Sequence, residues 1–348
     1  MIKTFIKLGF TAFGGPAAHI AMLQEEAVVK NQWLSQEDFA ALNSLTNLIP
    51  GPNSSEMVLG VGYYIDGIPG LIKAGLSFML PSISIVMIIS MFFVSWISEA
   101  WVQVLLDGMT PVLLIMIGQV FYRFFRSGIK TSSQKVLFII GCLLLALGLS
   151  ELSLLLVFAL GFIFHFFYKK QVLVVEPIST LMIFTLFLKI GATLYGSGYV
   201  LLSYLETSFL KYMSQQDIVN AFLIGEITPG PVFTSATAVG VFLGGPIGGL
   251  VATLGIFLPS FLIMMLLMPI KERMTKIAWI QYALKGINIA SIVLIAKVLF
   301  SLSLTTMISI QALVLLGIAL VLRFGFKISP YLLLVLLPII NYIFYLLV

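Results

Sequence analysis

The chain has 348 residues, of which 60% are apolar and 9% charged, with a net charge of +5. Apolar runs such as Leu76 to Trp96, Val136 to Leu149 and Tyr331 to Val348 leave no space for a soluble domain of ordinary size, so the expected class is an all-α polytopic membrane protein. The single Cys142 excludes an intrachain disulfide, no Cys/His spacing suits a metal, and no basic or aromatic platform supports a nucleic-acid role. Neither a metal nor any other cofactor is expected.

In chain order, Met1 to Phe5 runs straight into a patterned segment with no small-residue cleavage site, which predicts uncleaved insertion. That segment is interrupted at Gly14-Gly15-Pro16. Ser35 and Asp38 follow at capping-box spacing, with Asp in place of the usual Glu, and read as a helix start. Next comes the helix-breaking Pro50-Gly51-Pro52. Pro50 ends one helix and Pro52 suits the first position of the next. Apolar spans are then predicted near 70–97, 102–124, 135–150 and 152–168.

The second part of the chain repeats the first. Phe5, Lys7, Gly9, Thr11, Phe13 and Gly14 match Phe187, Lys189, Gly191, Thr193, Tyr195 and Gly196 at a constant offset of 182. Ser35 and Asp38 match Ser214 and Asp217, and Pro50-Gly51-Pro52 matches Pro229-Gly230-Pro231. Leu80-Pro81-Ser82 matches Leu258-Pro259-Ser260, and Trp101, Gln103 and Gly108 match Trp279, Gln281 and Gly286. Residues 1–176 and 177–348 thus read as two membrane repeats, with further spans near 247–269, 280–300, 308–323 and 329–347. Pro81 and Pro259 read as kinks in equivalent spans, and Gly70, Gly75, Gly248 and Gly255 as sites of close helix contact.

Loop charges orient the repeats. Arg123, Arg126, Lys130 and Lys135 crowd one loop and Lys169-Lys170 another, while Glu99 and Glu151 mark the opposite side. In the second repeat the equivalent of the Glu99 loop is basic, with Lys271, Arg273 and Lys276, and the equivalent of the Arg123 loop is neutral. The bias is reversed, as in inverted-topology repeats with broken helices, which need an odd number of net crossings in each half. One broken segment per half is expected to span and the other to dip in and return, giving roughly ten crossings plus two re-entrant hairpins.

Phe13-Gly14-Gly15-Pro16-Ala17-Ala18-His19-Ile20, the Glu25-Glu26 pair, Trp33-Leu34 and Leu48-Ile49-Pro50-Gly51-Pro52-Asn53-Ser54-Ser55 resemble the signature of the chromate ion transporter family. Thr228-Pro229-Gly230-Pro231-Val232-Phe233-Thr234 with Ala236-Thr237 is its second-half counterpart. The resemblance implies a multi-pass secondary transporter of the bacterial cytoplasmic membrane that exports chromate, or sulfate. Its implied partners are a small inorganic oxyanion, protons and the lipid bilayer, with a homodimer as the candidate assembly.

The residues support an anion site by themselves. A helix begun after each Pro-Gly-Pro would offer the amides of Asn53, Ser54 and Ser55, and of Val232, Phe233 and Thr234, as an anion cradle that Gly51 and Gly230 let an oxyanion approach. Breaks at Gly14, Gly15 and Pro16, and at Gly196 and Ser197, would open two more half-helices, Ser197 acting as N-cap. Four helix N-termini of about +0.5 charge each would offset roughly two negative charges, which suits a tetrahedral dianion. Lys7 and Lys189 are candidate cations beside the breaks, the alternative being that each reaches out to an interface. His19 is either a pH sensor or a structural hydrogen-bonder. Glu56 and Glu226, carboxylates beside an anion cradle, are candidate proton carriers; pairing with Lys7 or Lys189 to hold the broken helices is the alternative.

Three functions remain open on this reading. A secondary oxyanion transporter working by alternating access leads. An anion channel or a sulfate uptake symporter could use the same broken helices. An intramembrane enzyme is the weakest, since no repeated Ser/His or Asp-rich motif is present.

Overall fold

The computed structural model describes residues 1–13, 15–47, 49–97, 99–146, 178–195, 198–270, 278–306 and 309–347. Gly14, Gly196 and Ser197, the basic loop of Lys271, Arg273 and Lys276, and the span expected near 152–168 lie outside them.

Helices and their connections make up the described residues, and no strand is among them. The first repeat holds α1 (Ile2–Thr11), α2 (Gly15–Gln24), α3 (Gln36–Thr46), α4 (Asn53–Trp96), α5 (Ala100–Gly128) and α6 (Ser132–Ala146). The second holds α7 (Thr180–Thr193), α8 (Val200–Phe209), α9 (Gln215–Ile227), α10 (Ser235–Leu267), α11 (Ala278–Thr306), α12 (Ile310–Leu320) and α13 (Pro330–Leu347). Among the described residues four stretches are long and apolar enough to cross a bilayer: Asn53–Trp96, Ala100–Gly128, Val232–Ile270 and Pro330–Leu347.

Helix starts follow the sequence signals. Ser35 accepts a hydrogen bond from the Asp38 amide at 3.0 Å and donates to the Asp38 carboxylate at 2.7 Å. Ser214 and Asp217 repeat the arrangement at 3.1 and 2.6 Å. The shorter Asp thus holds the serine hydroxyl, which caps one otherwise unsatisfied amide, instead of reaching back to the N-cap amide as Glu does in a capping box.

The long helices α4 and α10 are each two arms joined by a sharp turn. Asp66 and Gly67 (φ +55°) break α4, and Gly244 and Gly245 (φ +61°) break α10 at the equivalent place. Around the α4 turn the arms double back, so that a Cβ on Gly62 would meet Ala74 at 2.5 Å. An exposed Lys73–Asp66 ion pair at 2.8 Å marks the α4 turn.

The broken segments that precede these arms also double back. In the second repeat the Phe187 and Phe209 rings stack at 4.8 Å, the Tyr204 hydroxyl donates to the Thr193 carbonyl at 3.2 Å, and Tyr212 reaches Met182 at 3.3 Å. These three contacts step along α7 and α8 in opposite directions, which defines an antiparallel pair. In the first repeat Trp33 packs on Phe5 at 5.8 Å and Glu26 meets Lys7 at 3.5 Å. The next pair behaves likewise: a Cβ on Gly60 in α4 would strike Leu42 in α3, and Ser235 reaches back to the Phe222 carbonyl of α9 at 3.4 Å. In each half the helices on either side of both breaks thus pack against each other.

Two compact units can be distinguished by packing, and each draws on both repeats. The first holds the described residues of 1–91 and 178–287, the second those of 92–146 and 288–347. Within the first, the second arms of α4 and α10 pack antiparallel: Gly75 lies against the Phe261 ring and Gly249 against Met87. Within the second, Asn341 of α13 is buried, donates to the Val104 carbonyl of α5 at 2.7 Å and accepts from Gln311 at 2.7 Å. That polar clasp satisfies an amide side chain in surroundings that offer no water.

Candidate functional site

Pro50 and Pro229 stop the incoming helices, and the glycine that follows each turns the chain. Gly51 has φ +128° and Gly230 φ +100°, a region that costs any side-chain-bearing residue steric strain. The Gly51 amide donates to the Leu194 carbonyl at 2.8 Å, and the Gly230 amide to the Ala12 carbonyl at 2.9 Å. Leu194 and Ala12 are repeat mates at the offset of 182 and cap the C-termini of α7 and α1. Each Pro-Gly-Pro thus completes a helix end belonging to the other half.

The prolines that follow act as caps one position earlier than expected. The Pro52 carbonyl accepts from the Ser55 amide at 2.7 Å and the Glu56 amide at 3.1 Å, and Asn53 is the first helical residue. In the second half the Pro231 carbonyl accepts from the Thr234 amide at 3.0 Å, opening a short 3-10 turn, Val232–Thr234, before α10. The cradle is therefore narrower than expected. The Ser55 and Thr234 amides are used internally, and those of Asn53, Ser54, Val232 and Phe233, the first two of each helical start, have no helical acceptor.

Side chains gather differently at the two tips. Asn53 faces back, bonding to Asn47 and, at 3.2 Å, to Thr46. Ser54 is buried 3.4 Å from Nδ1 of His19, whose ring packs edge-on against Phe78 and also engages the Ala12 carbonyl. Ser55 is wholly buried with no partner for its hydroxyl. Glu56, also wholly buried, accepts from the Ser260 hydroxyl at 3.1 Å through Oε1, while Oε2 has no partner. Tyr195 is near enough to feel the Glu56 charge. At the second tip Thr234 bonds to Ser82 at 3.0 Å and to the Pro231 carbonyl at 2.8 Å. Val232 and Phe233 are buried there, Val232 beside Gly198. Glu226 accepts from the Tyr199 hydroxyl at 3.5 Å through Oε2, with Oε1 unpartnered.

The first-tip residues Gly51, Ser54, Ser55, Glu56 and His19 are thus brought together, as are Gly230, Val232, Phe233 and Thr234 at the second. Gly15 and Pro16 open α2, the half-helix expected after that break. Lys7 and Lys189 do not join them. Lys7 is 65% exposed and paired with Glu26, and Lys189 lies on an exposed face of α7. The hydrogen bond from Lys30, reinforced by Lys7, holds the Glu26 carboxyl below its ordinary value against the opposing pull of partial burial. Among the described residues no basic side chain acts on Glu56 or Glu226, so the alternative of lysine pairs clamping the broken helices is not what these carboxylates do.

Sequence reasoning passed over Ser82 and Ser260, reading their neighbours Pro81 and Pro259 as kinks alone. Both serines are fully buried, and each lies against the Pro-Gly-Pro glycine of the opposite half: a Cβ on Gly51 would collide with Ser260, and one on Gly230 would come within 2.6 Å of Ser82. The signal available was their recurrence, since a proline kink alone does not require a serine after it twice.

Comparison with known proteins settles the kinship. A family model described as chromate transporter matches residues 1–166 and 181–342. The chain belongs to the chromate transporter family. It is 26% identical to the chromate transport protein of Cupriavidus metallidurans, over 93% of this chain and 88% of that one. An uncharacterized transporter of Methanocaldococcus jannaschii is 25% identical, with 90% and 86% covered. The chromate transport protein of Pseudomonas aeruginosa is 26% identical, with 75% and 70% covered. No solved structure matches the chain. The family is one of transporters, which agrees with an all-helical chain rich in apolar spans.

Proposed function

We propose that the chain is a proton-coupled secondary transporter of a tetrahedral oxyanion, chromate first and sulfate next, working by alternating access between two inverted repeats. The observation that carries this reading is the reciprocal meeting of the Pro-Gly-Pro tips with helix ends of the other half, beside wholly buried polar atoms that lack partners: Ser55 Oγ, Glu56 Oε2 and Glu226 Oε1. Unpaired polar groups in a low-dielectric interior are costly and mark places where a ligand or proton is received.

The antiparallel packing of the equivalent arms of α4 and α10 supports inversion, because a two-fold axis in the membrane plane relates helices running in opposite directions. Depth supports a buried site. The first arm of α4, residues 53–65, rises about 20 Å at ~1.5 Å per residue from the exposed Asp66 turn to the Pro-Gly-Pro tip. Against a hydrocarbon layer about 30 Å thick, that length is enough to carry the tip well inside the layer. Chromate is taken from the relatives that carry that description, and the hydroxyl-lined tips suit its oxygens.

Charge balance gives the coupling its sense. Among the described residues no lysine or arginine acts on either buried carboxylate, so an anion arriving beside Glu56 is tolerated best when that carboxyl carries a proton, and the two move together. The test is flux into proteoliposomes that contain the purified chain, with an imposed gradient of chromate or sulfate. Saturable uptake that responds to a pH gradient is expected. Failure of either anion to show saturable flux removes the substrate assignment, and flux proportional to concentration without limit would indicate a channel.

A further inference from the structure

We propose that Ser260 and its repeat mate Ser82 are anion-binding residues, and that the Ser260 hydroxyl is the element through which proton binding controls anion binding. The inference rests on the oxyanion-transport reading above and adds a specific carrier of coupling to it.

The two serines occupy equivalent places. Each follows a proline inside a long helix, is wholly buried, and lies against the Pro-Gly-Pro glycine of the opposite half. Each also hydrogen-bonds to a residue just after that Pro-Gly-Pro: Ser260 to Glu56 at 3.1 Å and Ser82 to Thr234 at 3.0 Å. The glycine is where the backbone is bare enough for an oxyanion to approach, so both hydroxyls stand at the approach. Unpartnered, wholly buried groups at the first tip, Ser55 Oγ and Glu56 Oε2, mark the same spot independently of the helix start.

The chemistry of the two pairs differs. A serine hydroxyl has one hydrogen to give. While Glu56 is ionised it claims that hydrogen, so an arriving anion faces a carboxylate and an oxygen lone pair. Once a proton from solution sits on Glu56, the carboxyl donates to the Ser260 oxygen and the Ser260 hydrogen turns to the anion. No bond within the anion is made or broken; one proton is taken up with it and released with it. At the other tip Thr234 keeps its hydrogen on the Pro231 carbonyl, so the Ser82 hydrogen is held only by a neutral hydroxyl oxygen and can turn to an arriving anion at any pH, since neither partner titrates. A pseudo-symmetric pair of hydroxyls is thus pH-responsive on one side only.

The groups facing Glu56 define the controls. From the α7–α8 connection Tyr195 lies within electrostatic range of it, from α10 the Ser260 hydroxyl bonds to it, and from α2 comes His19, which reaches Ser54 two residues before Glu56. His19 could also respond to acid, so His19→Gln is the contrasting variant.

The experiment measures KM for sulfate and chromate in proteoliposomes of the full chain across mildly acid to mildly alkaline pH. The parent KM should fall on acidification. In Ser260→Ala most of that fall should be lost, leaving KM about tenfold above the parent's in acid, as for one hydrogen bond to a charged group, with only the smaller relief from neutralising Glu56 remaining. Ser82→Ala should raise KM by a similar factor at all pH values and keep the parent's slope. Ser260→Thr, which retains the hydroxyl, should restore the slope. If Ser260→Ala inserts poorly, Ser260→Cys, close in size with a weaker donor, should show a reduced slope. A parent-like slope in Ser260→Ala, a parent KM indifferent to pH, or a slope abolished by His19→Gln alone each overturns the proposal while leaving oxyanion transport standing. Absence of saturable flux in the parent overturns the transport reading and this inference together.

Discussion

Replacing Gly51 with alanine tests the architecture of the first tip most directly, because the added methyl carries two separable penalties. The first is conformational: at φ +128° a Cβ costs about 1–2 kcal/mol of steric strain. The second is local. The methyl would overlap both the Glu56 carboxylate and the Ser260 hydroxyl, and so part the hydrogen bond between them. A hydrogen bond to a charged group contributes about 1.5–3 kcal/mol, which brings the total to about 2.5–5 kcal/mol. At about 1.36 kcal/mol per tenfold, that corresponds to a fall in transport rate on the order of a hundredfold or more. Gly67→Ala and Gly245→Ala supply the reference, since both positions have positive φ (+55° and +61°) and nothing within 4 Å of the added carbon. They should bear the strain alone and lose about thirtyfold at most. The assay compares initial oxyanion uptake at matched protein density, with thermal unfolding in detergent as the stability readout. Equal losses in Gly51→Ala and Gly67→Ala would refute the argument, for the Glu56–Ser260 contact would then be irrelevant to the tip.

Two further outcomes follow from the same geometry. Lys7→Gln and Lys189→Gln should each change uptake by less than about twofold, because both ammonium groups lie outside the buried tips and an exposed ion pair such as Lys7–Glu26 contributes only about 0–1 kcal/mol; uptake assays on the two variants decide it. Asn341→Leu should lower the thermal unfolding temperature while leaving KM unchanged, since it strips the Val104 carbonyl and Gln311 of a partner at about 1–3 kcal/mol and lies in the other packing unit from the tips.

Much of this molecule can be read from one-dimensional regularities, and the parts that cannot share a cause. Ser35 with Asp38 and Ser214 with Asp217 are local caps, complete within four residues, and the structure has them as the spacing indicates. The long apolar stretches after the breaks are equally local. What α7 and α8 do is not, because in a chain with apolar residues on every face periodicity does not say which face finds a partner; the Phe187–Phe209 stack and the Tyr204–Thr193 bond are decided by shape. Lys7 and Lys189 misled for the opposite reason. They are close to the breaks along the chain, yet in α1 the buried positions are Phe5, Leu8 and Gly9, and Lys7 falls on the other side of the helix. The recurrence of Ser82 and Ser260 was legible but the pairing of Ser260 was not, because Glu56 is 204 residues away in sequence and no local rule joins a long helix of one half to a tip in the other.

The hydrogen bonds of the two glycine amides also constrain the order in which the chain can be built. The Gly51 amide waits for the Leu194 carbonyl, whereas the Ala12 carbonyl, already engaged by His19, takes the Gly230 amide later. During synthesis the first hairpins are made long before those partners exist, and a bare amide or carbonyl cannot be left in hydrocarbon without a cost of several kcal/mol. The early hairpins therefore gain their final depth only when the second half arrives, so that insertion of the nascent chain ends with a docking step rather than with the last helix to leave the translocation machinery.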